Sequence, residues 1–323
     1  HHLLLTKELL PDFEFKGTSD TETILYAYIK IGEHLFPKLN GIFALAIFDN
    51  HSKELIIVRD QFGIKPLYFY HKEGNFYFAS ELKSLLGLNI DKSIDHNAFS
   101  HYLYFLYSPG EQTPFLHVKK MKPGHVIRFN IENPSAYIYQ QFYDIPFEGK
   151  YTDKSQDELV KEVDAHLTKA LERQLLSDVP VGFFLSGGLD SSAMVALARK
   201  LYPDKKINTY TIDTGGGFDG FEDDLKYAKI VAKHLNVELD ILKTEIDVVK
   251  DFDKMIWHLD EPQADAAPLN VLAICERARE KGDVVLLGGT AGDDLFSGYR
   301  RHQALNYEGL FRSVPGIGWK MAN

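Results

Sequence analysis

The chain has 323 residues, 45 % of them apolar and 25 % charged, with a formal net charge of −10 and a single cysteine. That length has room for two domains, each with its own core. The acidic balance argues against a nucleic-acid partner, no apolar run approaches the ~18 residues that span a bilayer, and lone Cys275 excludes an internal disulfide framework. A soluble protein of a reducing, cytoplasmic compartment is expected, with neither membrane nor nucleic acid as partner.

In chain order, Ile24, Leu25, Tyr28, Ile31 and Leu35 recur at helical spacing and predict a helix over 21–36, with Ser19-Asp20 able to cap it. The period then changes. Residues 42–48, 54–59, 66–70 and 76–79 read as short aromatic and β-branched strands, parted by the turns Asp49-Asn50-His51-Ser52 and Lys72-Glu73-Gly74-Asn75. Further strands are expected over 126–130 and 137–143. An antiparallel sheet with a helix across it is the predicted architecture of this part.

From about Pro146 the character shifts. Ser155-Gln156-Asp157-Glu158 is a capping box opening a long helix to about Leu176. Strands over 181–185, 207–212, 237–242 and 284–287 then alternate with helices, the pattern of a doubly wound parallel sheet. Nucleotides bind outside the carboxyl ends of such strands, where Ser186, Asp213 and Gly288 fall.

The most informative stretch is Val181–Ser192. An apolar strand breaks at Ser186-Gly187-Gly188, and a helix follows with Met194, Val195, Leu197, Ala198 and Leu201 on one face. Strand, glycine turn and helix N-terminus aim free backbone N–H groups at an anion. Ser186, Ser191 and Ser192 add hydroxyl donors, and Asp190 beside phosphates makes sense with Mg²⁺ between them. The plainer alternative makes Asp190 an N-cap. A second glycine-rich strand end, 287–299, carries Asp293, which with Asp190 could share one Mg²⁺. An N-cap is the alternative there too. An acidic cluster, Asp219, Glu222, Asp223 and Asp224, follows Gly215-Gly216-Gly217, and of these Asp223 and Asp224 are equally well explained by the helix dipole. Cys275, between Leu272, Ala273 and Ile274, is expected in the core.

The run SGGLDSS after an apolar strand resembles the pyrophosphate loop of ATP-pyrophosphatases. LSGGLDSS with GGTAGDDLFSGY, and Asp260-Glu261-Pro262 upstream, is similar to the synthetase domain of glutamine-dependent asparagine synthetases. FKGTSDTE at 15–22, LNGIFA at 39–44 and RDQFGIKPLY at 59–68 resemble that family's N-terminal-nucleophile glutaminase domain. The resemblance implies a glutaminase-type α+β domain over 1–148, lacking its N-terminal part, and a parallel-sheet ATP-pyrophosphatase domain over 149–323, lacking its C-terminal part. It implies that ATP activates a carboxylate, aspartate or a related acid, as an acyl-adenylate, and that ammonia from glutamine then displaces AMP. Leu185 and Ile212 would hold adenosine. Ser186, Gly187, Gly188, Asp190, Ser191, Gly288 and Gly289 would line the nucleotide, and Asp190 and Asp293 would hold Mg²⁺. Asp20 would bind the α-ammonium of glutamine, unless it only caps its helix. Homo-oligomer formation is left open.

Two departures stand out. The family's glutaminase uses an N-terminal cysteine, and the sole cysteine here is Cys275, so this chain is expected not to hydrolyse glutamine. The start at His1, without Met, favours residues absent from the sequence over residues lost. At Thr290 the family carries an acidic residue thought to help ammonia lose a proton, and a threonine hydroxyl cannot do that work. Three readings follow: an asparagine-synthetase-type amidotransferase, a ligase acting on another acid (a sugar uronate, or a β-amino acid closed into a lactam), and an idle nucleotide-binding subunit. Paired carboxylates at the strand ends disfavour the last.

Overall fold

A computed structural model describes residues 9–11, 13–146, 152–213, 222–243, 247–265, 267–299 and 302. The chain divides into two compact units. The first is His1–Thr152 with Val249–Ala266, and the second is Asp153–Val248 with Ala267–Asn323.

The first unit opens on helix α1 (Asp20–Ile31), N-capped by the Ser19 side chain, which accepts from Thr21 N. The helix expected to reach Phe36 stops at Ile31, because Gly32 turns left-handed at φ 58° and the chain tightens into a 3₁₀ turn, Gly32–Lys38, containing Pro37. Two antiparallel sheets follow. One has the order β1 (Ala44–Asp49), β2 (Glu54–Arg59), β6 (His125–Asn130), β7 (Tyr137–Gln141). The other has β4 (Asn75–Ala79), β3 (Tyr68–Lys72), β5 (Val118–Lys120). Strand β2 shows why they layer. Successive side chains face opposite sides of a strand, so Ile56 and Val58 pack with Ala27, Leu35 and Phe36, while Ile57 packs with Phe69, Met121 and Ile127. Helix α2 (Leu82–Leu86), helix α3 (His96–Phe105) and β5 are too short or too weakly periodic to be foreseen.

The second unit begins with α4 (Gln156–Gln174), whose capping box is made in full by Ser155 and Glu158. Its sheet is parallel, in the order β10 (Glu238–Lys243), β9 (Asn208–Asp213), β8 (Val181–Phe184), β11 (Val285–Leu287). Helices α5 (Leu189–Leu201), α6 (Glu222–Leu235) and α8 (Ala267–Glu280) belong to this unit, and α7 (Val248–Leu259) belongs almost wholly to the first. The core gathers Leu171, Phe183, Leu185, Val195, Ala198 and Ala228. Cys275 corrects the expectation made of it: the residue is exposed. The buried side of α8 carries Leu269, Ile274 and Ala278, and one residue past Ile274 the helix has turned outward. Among the described residues no helix is long and apolar enough to cross a membrane.

Candidate functional site

Strand β8 is where the order of the parallel sheet reverses. From it the chain builds outward to β9 and β10 on one side and places β11 on the other. Crevices outside the carboxyl ends of strands at such a reversal are the ordinary ligand sites of open α/β sheets. The two glycine-rich turns of the sequence follow β8 and β11, the strands that flank this crevice.

The first turn is folded on itself by its own hydroxyls. Ser186 Oγ and Ser191 Oγ lie 3.0 Å apart, Gly188 N donates to Ser186 Oγ at 3.3 Å, and Ser191 Oγ donates to Gly188 O at 3.2 Å. The Ser192 hydroxyl is buried with no hydrogen-bond partner. Gly187 has φ 93°, and a Cβ there would stand 2.2 Å from Asp224 O and 2.7 Å from Ala228 N of α6. The loop therefore lies directly on the first turns of α6, an approach that only glycine permits. Leu185 is fully buried and offers the crevice its main chain alone, while Ile212 is half-buried in the core beside Phe184 and Tyr210.

The second turn meets the first at Asp190. A Cβ on Gly292 would stand 2.2 Å from Asp190 Oδ2, and one on Gly289 would stand 2.7 Å from Asp190 Cβ and 2.8 Å from Ser191 N. Two segments about a hundred residues apart are thus fitted by the lack of side chains on one and the presence of a carboxylate on the other. Asp293 follows Gly292 in the first turn of the short helix α9 (Gly292–Phe296), its carboxylate against Gly298. The N-cap readings of these acids do not hold. Helix α5 is capped at Gly188, with Asp190 two residues inside, and α9 starts from Ala291 at φ 74°. Among the described residues, no hydrogen bond or ion pair engages the side chain of Asp190 or Asp293. Two uncompensated carboxylates, one in the first turn of α5 and one in that of α9, are the hard oxygen donors that a divalent cation takes. No group of three or more metal-binding side chains occurs among the described residues, so the remaining ligands would be phosphate oxygens or water. Thr290 is exposed, with Oγ1 3.6 Å from the position of a Gly288 Cβ. Gly215–Gly217, Asp219, and the side chains of Glu222 and Asp223 lie outside the described residues.

In the first unit, Asp20 is exposed at the start of α1 and accepts from Thr21 Oγ1 at 3.4 Å. Ser19, not Asp20, caps the helix, which leaves the Asp20 carboxylate out of the cap. Glu22 holds the preceding loop, accepting from Lys16 N at 3.0 Å and Gly17 N at 2.9 Å. Buried Asp60 likewise organises the RDQFGIKPLY loop by accepting from the backbone N–H of Phe62, Ile64 and Lys65. Neither supporting acid was foreseen, because each acts on backbone groups that the sequence does not mark.

The family model described as asparagine synthase matches residues 162–322, and that of a glutamine amidotransferase domain matches residues 2–143. Asparagine synthetase 1 (glutamine-hydrolyzing) of Bacillus subtilis is 35 % identical over 298 residues, covering 90 % of this chain and 46 % of that protein. Asparagine synthetase 3 (glutamine-hydrolyzing) of the same organism is 33 % identical over 303 residues, covering 88 % and 48 %. The chain thus spans about half the length of these curated relatives.

Proposed function

The chain belongs to the glutamine-dependent asparagine synthetase family, and on that premise we propose that it carries the working core of an ATP-dependent amide-forming ligase. Residues 1–148 are the glutaminase-type part and residues 149–323 the ATP-pyrophosphatase part. The observation that carries the reading is the fit of Asp190 against Gly289 and Gly292, which joins two glycine-rich strand ends at the reversal of a parallel sheet.

When bound, Mg·ATP supplies an α-phosphorus open to attack by a carboxylate and a pyrophosphate leaving group whose charge the metal spreads. The chain's own residues do the rest. Ser186, Gly187, Gly188 and Ser191 present hydroxyl and backbone donors to the departing phosphates, where fixed dipoles act at the point of charge development. Asp190 and Asp293 would hold Mg²⁺. Leu185, through its main chain, and Ile212 flank the adenosine, and Gly288-Gly289 keep the opposite wall thin. Activation turns an inert carboxylate into an acyl donor whose carbonyl carbon ammonia can attack, forming the C–N bond as the C–O bond to AMP breaks and AMP leaves. Asp20 receives the α-ammonium of glutamine, the source of that ammonia in the family. The acid is aspartate or a related carboxylate, and the setting is the cytoplasm. Thr290 in place of an acidic group favours a second reading, in which the acid is larger or more anionic.

Exchange of labelled pyrophosphate into ATP tests this directly. The expected result is exchange that requires Mg²⁺ and an acid, with aspartate compared against uronates and β-amino acids. A chain that binds ATP yet shows no exchange with any of these acids refutes the ligase reading.

A further inference from the structure

The Asp260-Glu261 pair of the sequence is left unused by the chemistry above, and the structure gives it an unexpected place. Residues 249–266 lie within the stretch matched to asparagine synthase, yet they pack as part of the first unit. At the end of α7 both carboxylates turn inward, with side-chain exposures of 7 % for Asp260 and 14 % for Glu261. Asp260 accepts from Leu82 N and from Lys83 Nζ, each at 2.8 Å, so it caps α2 and pairs with a lysine at once. Glu261 accepts from Tyr68 OH of β3 and from Lys120 Nζ of β5, each at 3.0 Å. Lys120 Nζ also donates to Ser108 O at 2.6 Å, and Ala264 N donates to Leu106 O at 3.0 Å. Asp260 adopts φ 66° to make this possible, a conformation that costs a non-glycine residue energy and persists where surroundings impose it. Buried charges are tolerated only when paired and hydrogen-bonded, and here both are.

We propose that Asp260 and Glu261 are positioning residues, a two-carboxylate tie that fixes the segment after α7 to β3, β5 and α2 within the first unit, ahead of α8 in the chain. Helix α8 leads into β11 and the turn that carries Thr290 and Asp293. The tie itself stands on geometry, and its effect on catalysis rests on the amide-ligase reading.

The experiment uses the 323-residue chain and the variants Tyr68→Phe, Asp260→Asn and Glu261→Gln. Hydrogen exchange is followed by mass spectrometry in peptides within 252–265 and in the β2 and β6 strands. Loss of one charge-assisted bond should speed exchange in 252–265 by about ten- to a hundredfold and leave β2 and β6 unmoved. The Tyr68→Phe/Glu261→Gln double variant should exchange more slowly than the two single effects multiplied, since both break one contact. In pyrophosphate exchange the maximal rate should fall several-fold while KM for ATP holds, because the loop after β8 is untouched. Unmoved exchange in 252–265 in all three variants overturns the tie. A loosened segment with unchanged pyrophosphate exchange overturns the positioning role. A wild-type chain inert toward every acid removes the ligase reading and the catalytic half of this inference with it, while hydrogen exchange still decides the tie.

Discussion

Gly187 and Gly188 are neighbours in the sequence and should behave as opposites. At Gly187 an alanine must adopt φ 93° with its Cβ 2.2 Å from Asp224 O and 2.7 Å from Ala228 N, where ordinary contact begins at 3.4 Å. The obstacle is backbone of α6, which cannot swing aside as a side chain can. The left-handed backbone costs about 1–2 kcal/mol, and forcing helix and loop apart by more than an ångström adds about 1–3 kcal/mol. Gly187→Ala should therefore destabilise the second unit by about 2–5 kcal/mol, a drop of roughly 4–20 °C in its melting temperature. At Gly188 the backbone is extended, φ −66° and ψ 163°, and the nearest atom to a new Cβ is Ser186 Oγ at 3.4 Å. Gly188→Ala should leave the melting temperature within a few degrees or raise it slightly, since it reduces the freedom of the unfolded chain by about 0.4–1 kcal/mol. Thermal unfolding followed by circular dichroism, variant beside variant, is the assay. Equal melting temperatures for the two would refute the packing of this loop on α6.

Four further outcomes are expected. Cys275→Ala, on an exposed face of α8, should shift stability by no more than about 0.5 kcal/mol, measured by urea unfolding; a larger loss would restore the thiol to the core. Burial raises the hydroxyl pKa of Tyr68, Tyr139 and Tyr210, aided at Tyr68 by Glu261 and at Tyr210 by Asp283. Above about pH 10 the unfolded chain loses tyrosine protons that the folded chain keeps, so the urea midpoint should decline as pH rises beyond that value, and a flat midpoint would contradict it. Mg·ATP at about a hundred times its Kd should stabilise the second unit by about 2.7 kcal/mol, and Asp190→Asn or Asp293→Asn should remove the Mg²⁺-dependent part of the thermal shift; an undiminished shift would exclude them as metal ligands. If the acid is aspartate, Thr290→Glu should speed ammonia-dependent amide formation by about 10²–10⁴-fold with pyrophosphate exchange unaltered. Weaker binding of the acid in that variant would instead support the larger, more anionic substrate.

Much of this was legible because it is periodic. Strand β2 came through residue for residue, since three consecutive β-branched residues between charged ends leave a buried strand as the economical solution. The capping box at Ser155 and the strand–glycine–helix turn at 184–189 were equally plain. What escaped depends on contacts between distant residues. Cys275 sits among apolar neighbours, and only the register of α8 against the sheet turns it outward. The fit of Asp190 to Gly292 and the hold of Glu261 on Tyr68 leave no local trace, because neither partner lies near the other in sequence. Ala291 and Ser297 both turn left-handed at the ends of α9 without the glycine that usually announces it.

These exceptions to local preference gather at the residues proposed to work. Gly187 accepts a backbone conformation and a helix contact that no other residue could; Ala291 and Ser297 hold strained φ values around α9. Asp190 and Asp293 stand in the first turns of α5 and α9, where the helix dipoles return about 0.3–2 kcal/mol to each. That is a small offset for two half-buried carboxylates with no cationic side chain against them among the described residues, and removing an acid from such a place would be expected to stabilise the fold. By contrast the buried acids Asp260 and Asp60 each meet several donors, as structural acids do. The difference separates acids that hold the fold from acids that no described side chain or backbone donor satisfies, and it is why Asp190 and Asp293 are the residues proposed for the metal.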